Sequence, residues 1–328
     1  MTNLRPHQFV MTLTALVVGS CLAFSQGPAP QSNPEQPTVK MNLLVTDSKD
    51  RSVEDVTQDE VQIVEDGQPL TISLFAKDSR PTQYVIALDS SGSFRGIIER
   101  ALDFVRLLIR GMRSGDQIQL IRFISSDKIV SLTDFTSDQS KLADSLKLVR
   151  IESGQSAVID ATYEAVRSVA NHRRSESIRR AVVLISDGED RASFYNSEAL
   201  VKLLRKETVQ VFVVGIVLDL ENTAALIQRG TPRQKAEKLL KTVASESGGR
   251  VFFPRTNGDL VQAATEIRQN LQTSYVLEFH PPNSGRNGFR SINVKIAKRG
   301  GEELKARTRP GYTLDTTATD EKGRKNPN

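Results

Sequence analysis

Apolar residues recur along this chain in two rhythms. From residue 39 to residue 80 they form short β-like stretches, VKMNLLVTD, VQIVEDG and LTISLFAKD, divided by turn formers such as Asp66-Gly67. From 81 to 272 short Val/Ile/Leu runs alternate with helical periodicity. YVIAL (84–88) precedes a helix striped by Ile97, Ala101, Val105, Leu108 and Met112, and QIQLIRFI (117–124) and IVSLTDF (129–135) follow it. Helices are then expected near 138–149 and 157–170, a strand at AVVLIS (181–186), a helix near 196–206 and a strand at VQVFVVGIV (209–217). A helix near 232–246, VFFP (251–254) and a last helix with Leu260, Ala263, Ile267 and Leu271 complete this part. Near-continuous apolar strands alternating with amphipathic helices predict an α/β domain, a doubly wound and mostly parallel sheet covered on both faces.

Residues 273–314 return to β texture, with SYVLEFH, FRSINVKIAK and LKARTRPGYTL broken by PPNSGRNG and KRGGEE. Each β flank is too small to hold its own core without disulfides or metal. Two arrangements satisfy this: both flanks join into one small β accessory domain with the α/β domain inserted between them, or each lies as a flap on the large domain. Residues 26–38 begin with four prolines in QGPAPQSNPEQP and read as a linker, and the polar tail 315–328 reads as disordered.

Ahead of the linker, residues 1–9 carry one charge, Arg5, and lead into the apolar run VMTLTALVVGSCLAF (10–24). The run is short for a membrane span and has the layout of a secretory signal, residues 1–25, with Ala23 and Ser25 before a cut at Gln26. Val18-Gly19-Ser20-Cys21 offers a second reading, a lipobox that would leave Cys21 as a lipid-modified first residue and the membrane as its anchor. Either reading places the chain outside the cytoplasm, in the periplasm, the cell envelope or the medium.

Composition narrows the chemistry. With 38% hydrophobic and 25% charged residues, the 328-residue chain has the material for an ordinary core. One Cys and three His, at 7, 172 and 280, exclude sites built on several soft or imidazole ligands. A net charge of +5 raises the question of nucleic acid, yet the basic residues are scattered. Their one cluster, NHRRSESIRR (171–180), has no aromatic residues for base stacking and reads as a solvated helix end.

Ligands of doubly wound sheets bind outside the carboxyl ends of the strands. After YVIAL stands Asp89-Ser90-Ser91-Gly92-Ser93; after AVVLIS stands Asp187-Gly188-Glu189-Asp190; between them Gly154-Gln155-Ser156-Ala157 opens a helix. Asp89, Ser91, Ser93, Ser156 and Asp187 are all oxygen donors, a set suited to a hard divalent cation, Mg²⁺ first and Ca²⁺ or Mn²⁺ next.

The D-x-S-x-S pattern on the first of these loops resembles the metal-ion-dependent adhesion site of von Willebrand factor type A domains. The element order over 81–272 is similar to that fold. Where the family usually has G-G-T-x-x-x-D-A, this chain has GQSAVIDA at 154–161, so Ser156 keeps the hydroxyl and Gln155 replaces a glycine. The segment VTDSKDRSVEDVTQDEVQIVEDGQPLTISLF before the domain, and YVLEFHPP with RTRPGY after it, resemble a bacterial group of exported proteins of this family typified by Acidobacteria, so the likeness spans residues 39–313. It implies Asp89, Ser91 and Ser93 as ligands from the first loop, Ser156 from the second, and Asp187 from the third, directly or through water. The implied function is adhesion: an acidic side chain of a partner protein completes the ion's shell, without catalysis.

Two other classes stay open. A serine hydrolase needs a His base, and G-x-S-x-G, G-x-G-x-x-G and G-K-[ST] are all missing, which leaves metal-assisted phosphoryl chemistry through Asp89 and Asp187 as the enzymatic alternative. An exported scaffold that binds partners without metal is the other.

Overall fold

In the computed structural model, residues 37–172, 177–217, 231–282 and 287–314 are described. The expected signal segment with Cys21, most of the linker and the polar tail lie outside them.

The first flank contributes β1 (Val39–Thr46), β2 (Val61–Glu65), β3 (Gln68–Leu70) and β4 (Ile72–Lys77). Asp66 and Gly67 both take positive φ, 47° and 87°, as the two-residue turn between β2 and β3 requires. The chain then builds β5 (Thr82–Asp89), α1 (Ile98–Arg110), β6 (Gln117–Phe123), β7 (Ile129–Ser131), α2 (Gln139–Leu146) and α3 (Val158–Asn171). It continues with β8 (Arg179–Ser186), α4 (Ser197–Lys206), β9 (Gln210–Gly215), α5 (Pro232–Ser247), β10 (Val251–Phe252) and α6 (Asn257–Gln272). The second flank adds β11 (Tyr275–Phe279), β12 (Gly288–Ile296), β13 (Lys305–Arg307) and β14 (Gly311–Leu314).

The central sheet runs β10-β9-β8-β5-β6-β7, parallel except for the short edge strand β7. Strand alternation divides its core. Tyr84, Ile86 and Leu88 of β5 pack with α1, α2 and α6, whereas Val85 and Ala87 face α3, α4 and α5. Burial of all eight β5 residues explains the unbroken apolar run in the sequence. The run at 129–135 yields only three strand residues, because β7 pairs with β6 alone and the chain then turns towards α2.

Strands from both flanks combine in two further sheets, alternating in β13-β1-β11-β4 and meeting at the β12–β2 pair in β14-β12-β2-β3. Met41, Leu43, Ile63, Leu277, Phe279, Ile292 and Tyr312 close a shared core between them, so the flanks form one β-sandwich. A buried Glu65 ties its second sheet together, accepting from Arg290 (3.1 Å) and from the Tyr312 hydroxyl (2.6 Å). The stretch LKARTRPGYTL, one β segment by texture, divides into β13 and β14 in different sheets. Thr308, Arg309 and Pro310 make the crossing, and the Pro310 carbonyl accepts the Ile292 N–H.

The chain enters and leaves the α/β domain through neighbouring strands. Lys77 of β4 stands opposite Tyr275 of β11, and the Asp78 N–H donates to the Ser274 carbonyl (2.8 Å). Here the basic cluster 171–180 departs from the expected solvated helix end. Asn171 closes α3, residues 173–176 lie outside the described set, and Arg179 opens β8 with 1% of its surface exposed. Its guanidinium donates to the carbonyl of Leu271 (2.7 Å), to that of Asn270 (3.3 Å) and to Gln210 Oε1 (2.5 Å), holding the last turn of α6 against the sheet. Burial lowers its pKa to about 10, so it stays protonated at neutral pH.

Arg179→Ala strands these acceptors in the interior and removes one of the two cations that act on buried Asp78, leaving its salt bridge to Arg80 (2.8 Å) in place. It should therefore cost about 3 kcal/mol or more of unfolding free energy, read by urea denaturation.

Candidate metal centre

Three loops meet at the carboxyl ends of β5 and β8. Asp89, the last residue of β5, is fully buried. Its Oδ1 accepts the Ser91 N–H (3.0 Å), which folds the first loop back over the strand end. Ser91 Oγ and Ser93 Oγ lie 3.1 Å apart, and the backbone continues as a 3-10 turn, Gly92–Gly96, into α1. Ser90 turns away, its hydroxyl donating to the Phe123 carbonyl (3.2 Å).

The second loop is attached to β6 through the Ala157 N–H and the Ile124 carbonyl (2.8 Å). Ser156 is buried at the mouth of α3 and donates its hydroxyl to Asp89 Oδ2 (2.9 Å). Gln155, the residue in place of the family's glycine, is exposed and points no bulk into the site.

From the third loop, Asp187 is buried, accepts the Glu189 N–H (2.9 Å) and is hydrogen-bonded by Ser93. Gly188 adopts φ 77°, and a Cβ there would lie 2.8 Å from the Leu240 side chain, so the turn after Asp187 calls for glycine. Asp89, Ser91, Ser93, Ser156 and Asp187 thus sit in one hydrogen-bonded cluster.

Two participants escaped the sequence reading. Ser186 donates to Asp89 Oδ2 (2.8 Å) and accepts the Gly188 N–H (3.0 Å), linking the first and third loops. The parallel pairing of Leu88 with Ile185 places Asp89 beside Ser186, and only strand register gives that neighbour away. Asp160 accepts the N–H groups of Phe194 (2.7 Å) and Tyr195 (2.8 Å) and so orders the continuation of the third loop. The two histidines among the described residues lie elsewhere: His172 stacks on Phe135 (4.2 Å), and His280 meets Thr38 in the β-sandwich (3.5 Å).

Electrostatically the site is a buried negative charge held by neutral donors. Among the described residues neither Asp89 nor Asp187 forms a salt bridge. Burial, then repulsion from Asp187, pushes the Asp89 carboxyl up to about 6, against the pull of hydrogen bonds from Ser91 and Ser186. Burial also raises Asp187, with the Ser93 and Glu189 hydrogen bonds opposing it. Among the described residues no three His, Cys, Asp or Glu side chains gather, so a cation here would rest on two carboxylates and hydroxyl oxygens.

The family model for the von Willebrand factor type A domain matches residues 85–267. Among solved structures, an aerotolerance-related membrane protein from Bacteroides fragilis is 22% identical (TM-score 0.44), the match covering 57% of this chain and 99% of that one. A von Willebrand factor type A protein from Catenulispora acidiphila is 12% identical (TM-score 0.49), with 88% and 76% covered. Proximal thread matrix protein 1 from the mussel byssus, described with a zinc-occupied adhesion-site motif, is 18% identical (TM-score 0.47), with 62% and 48% covered. No curated protein matches the sequence.

A raised carboxyl pKa stabilises the fold below the unfolded value and loses that contribution as pH climbs through the folded value. In chelator-treated protein, Asp89 should therefore withdraw up to about 3 kcal/mol of stability between pH 4 and pH 6. Asp89→Asn should flatten this decline and melt higher than the parent at pH 8, as read by thermal denaturation across pH.

Proposed function

Because the chain belongs to the von Willebrand factor type A domain family, we propose that it is an adhesion-type protein-binding module that engages a partner through a shared divalent cation. The observation that carries this reading is the buried Asp89–Asp187 pair, two carboxylates that form no salt bridge among the described residues, surrounded by the hydroxyls of Ser91, Ser93 and Ser156. Leaving such charge uncompensated costs stability, and a small hard cation would relieve the cost.

The donor set fits. Asp89, Ser91, Ser93, Ser156 and Asp187 would hold the ion, and the all-oxygen chemistry favours Mg²⁺ over softer metals, with Ca²⁺ or Mn²⁺ as alternatives. When bound, the ion supplies a positive centre for an Asp or Glu of the partner. The protein's own groups do the rest. Asp89 orients Ser156 and Ser186, Ser93 steadies Asp187, and the backbone of the third loop is fixed by Asp160. Few carboxylates and several neutral hydroxyls leave the centre electrophilic enough to attract an anionic side chain.

The reading includes export, through residues 1–25 as a signal segment or through lipidation at Cys21, to the periplasm, envelope or exterior. No helix among the described residues is long and apolar enough to cross a membrane. It includes neither nucleic-acid binding nor catalysis.

Isothermal titration with Mg²⁺ should show a single ion bound per chain, its affinity reduced about tenfold or more by Ser156→Ala and abolished by Asp89→Ala. Bound Mg²⁺ should raise the melting temperature of the parent and leave that of Asp89→Ala unchanged. Capture of envelope proteins by the immobilised chain should vanish in chelator, and capture unchanged in chelator and in Asp89→Ala overturns the reading.

A further inference from the structure

The ring of Phe194 is 86% exposed, the highest value of any large apolar side chain among the described residues. It stands on the third loop, a few residues beyond Asp187. A lone surface phenylalanine is unremarked on a loose loop, but this loop is held tightly. The N–H groups of Arg191 (2.8 Å) and Ala192 (3.1 Å) donate to the Ser156 carbonyl, and the Ala192 carbonyl accepts the Ser126 hydroxyl. Asp190 accepts the Ile159 N–H (3.1 Å) and the Ser193 hydroxyl (2.5 Å), while Ser193 Oγ accepts the Asp160 N–H (3.1 Å). The Asp160 carboxylate then takes the N–H of Phe194 itself and of Tyr195.

Beneath the ring, Tyr195 stacks on Tyr163 at 4.0 Å and meets Phe194 edge-on at 5.4 Å. The backbone that presents Phe194 is therefore bonded to the same Ser156 whose hydroxyl reaches Asp89. Its ordering cost is met before any partner arrives. A large ring with few torsions, held rigid and out in water at the rim of a polar site, has the character of an interface anchor. Arg191, on the same loop, is ion-paired with Glu189 at this rim.

We infer that Phe194 is an anchor of the binding face: the protein partner carries an apolar hollow next to the carboxylate it offers to the Asp89–Ser156–Asp187 site, and the Phe194 ring fills that hollow. This rests on the adhesion-type reading above and adds the partner's second recognition element.

The test is a displayed library of random peptides with a fixed central Glu, selected on the full chain in Mg²⁺ and eluted with chelator. Selected peptides should carry apolar residues at a constant offset from the Glu. They should bind Phe194→Ala about thirtyfold or more weakly than the parent, with Phe194→Leu in between. Mg²⁺ affinity, measured separately, should be the same in all three proteins. Peptides that need Mg²⁺ and Asp89 yet bind Phe194→Ala as well as the parent overturn the anchor and leave the adhesion reading standing. Peptides that lose binding in Phe194→Ala but ignore chelator and Asp89→Asn overturn the shared ion and leave the anchor.

Discussion

The carboxylate of Asp89 is shut away from water at the end of a parallel strand, and the loops around it take their positions from that charge. Its oxygens collect the Ser91 N–H and the hydroxyls of Ser156 and Ser186, one donor from each of three segments distant in sequence. The sheet alone fixes where β5 and β8 end; the carboxylate fixes how the loops beyond them sit relative to one another. Every donor is neutral, so the hydrogen bonds orient the charge without cancelling it, and the raised pKa records the remainder. Buried charge left in this condition is a local departure from the best-folding choice, and such departures gather where a site must bind something.

A second set of buried charges lies at the opposite end of the same sheet, where β8 begins. From Ser186 back to Arg179, β8 spans roughly 23 Å at the usual rise per residue. At the Arg179 end arginines take over. Arg179 grips the end of α6. Arg250 pairs with Glu266 (2.8 Å) and reaches the Asp50 carbonyl of the first flank (3.1 Å). Arg309 donates to the Lys40 carbonyl (3.1 Å). Arg250, through the Asp50 carbonyl, and Arg309, through the Arg205 carbonyl of α4 (3.4 Å), fasten the α/β domain to the β-sandwich by main-chain oxygens, acceptors that do not depend on side-chain identity. Arginine suits this work because its planar fork serves several carbonyls at once and keeps its charge under burial.

Much of this was legible in the sequence, for physical reasons that differ from place to place. Strands buried on both faces read as continuous apolar runs, which exposed the parallel sheet. Loops after such strands are short and rich in Asp, Ser and Gly, which exposed Asp89 and Asp187, while the segment that opens a helix exposed Ser156. Ser186 stayed hidden because its partner is set by strand register, which a single chain does not print. Arg179 stayed hidden because a charged residue in a charged segment reads as solvated, and only the arrival of α6 above it supplies the carbonyls that make burial tolerable. The division of LKARTRPGYTL stayed hidden because texture reports β character without saying which sheet receives it.

The pairing of Lys77 with Tyr275 carries a topological consequence. Everything from Asp78 to Ser274 leaves and returns through one rung of an antiparallel ladder, as a guest enters and leaves a house by the same door. A two-residue hairpin turn joining Lys77 to Tyr275 would span that rung and leave the strand order of all eight sandwich strands unchanged. The sandwich is in this sense a complete host whose longest loop has become the larger of the two bodies. The α/β domain is thus an exchangeable head on a constant stem, and variation in the head need not disturb the stem's own pairing.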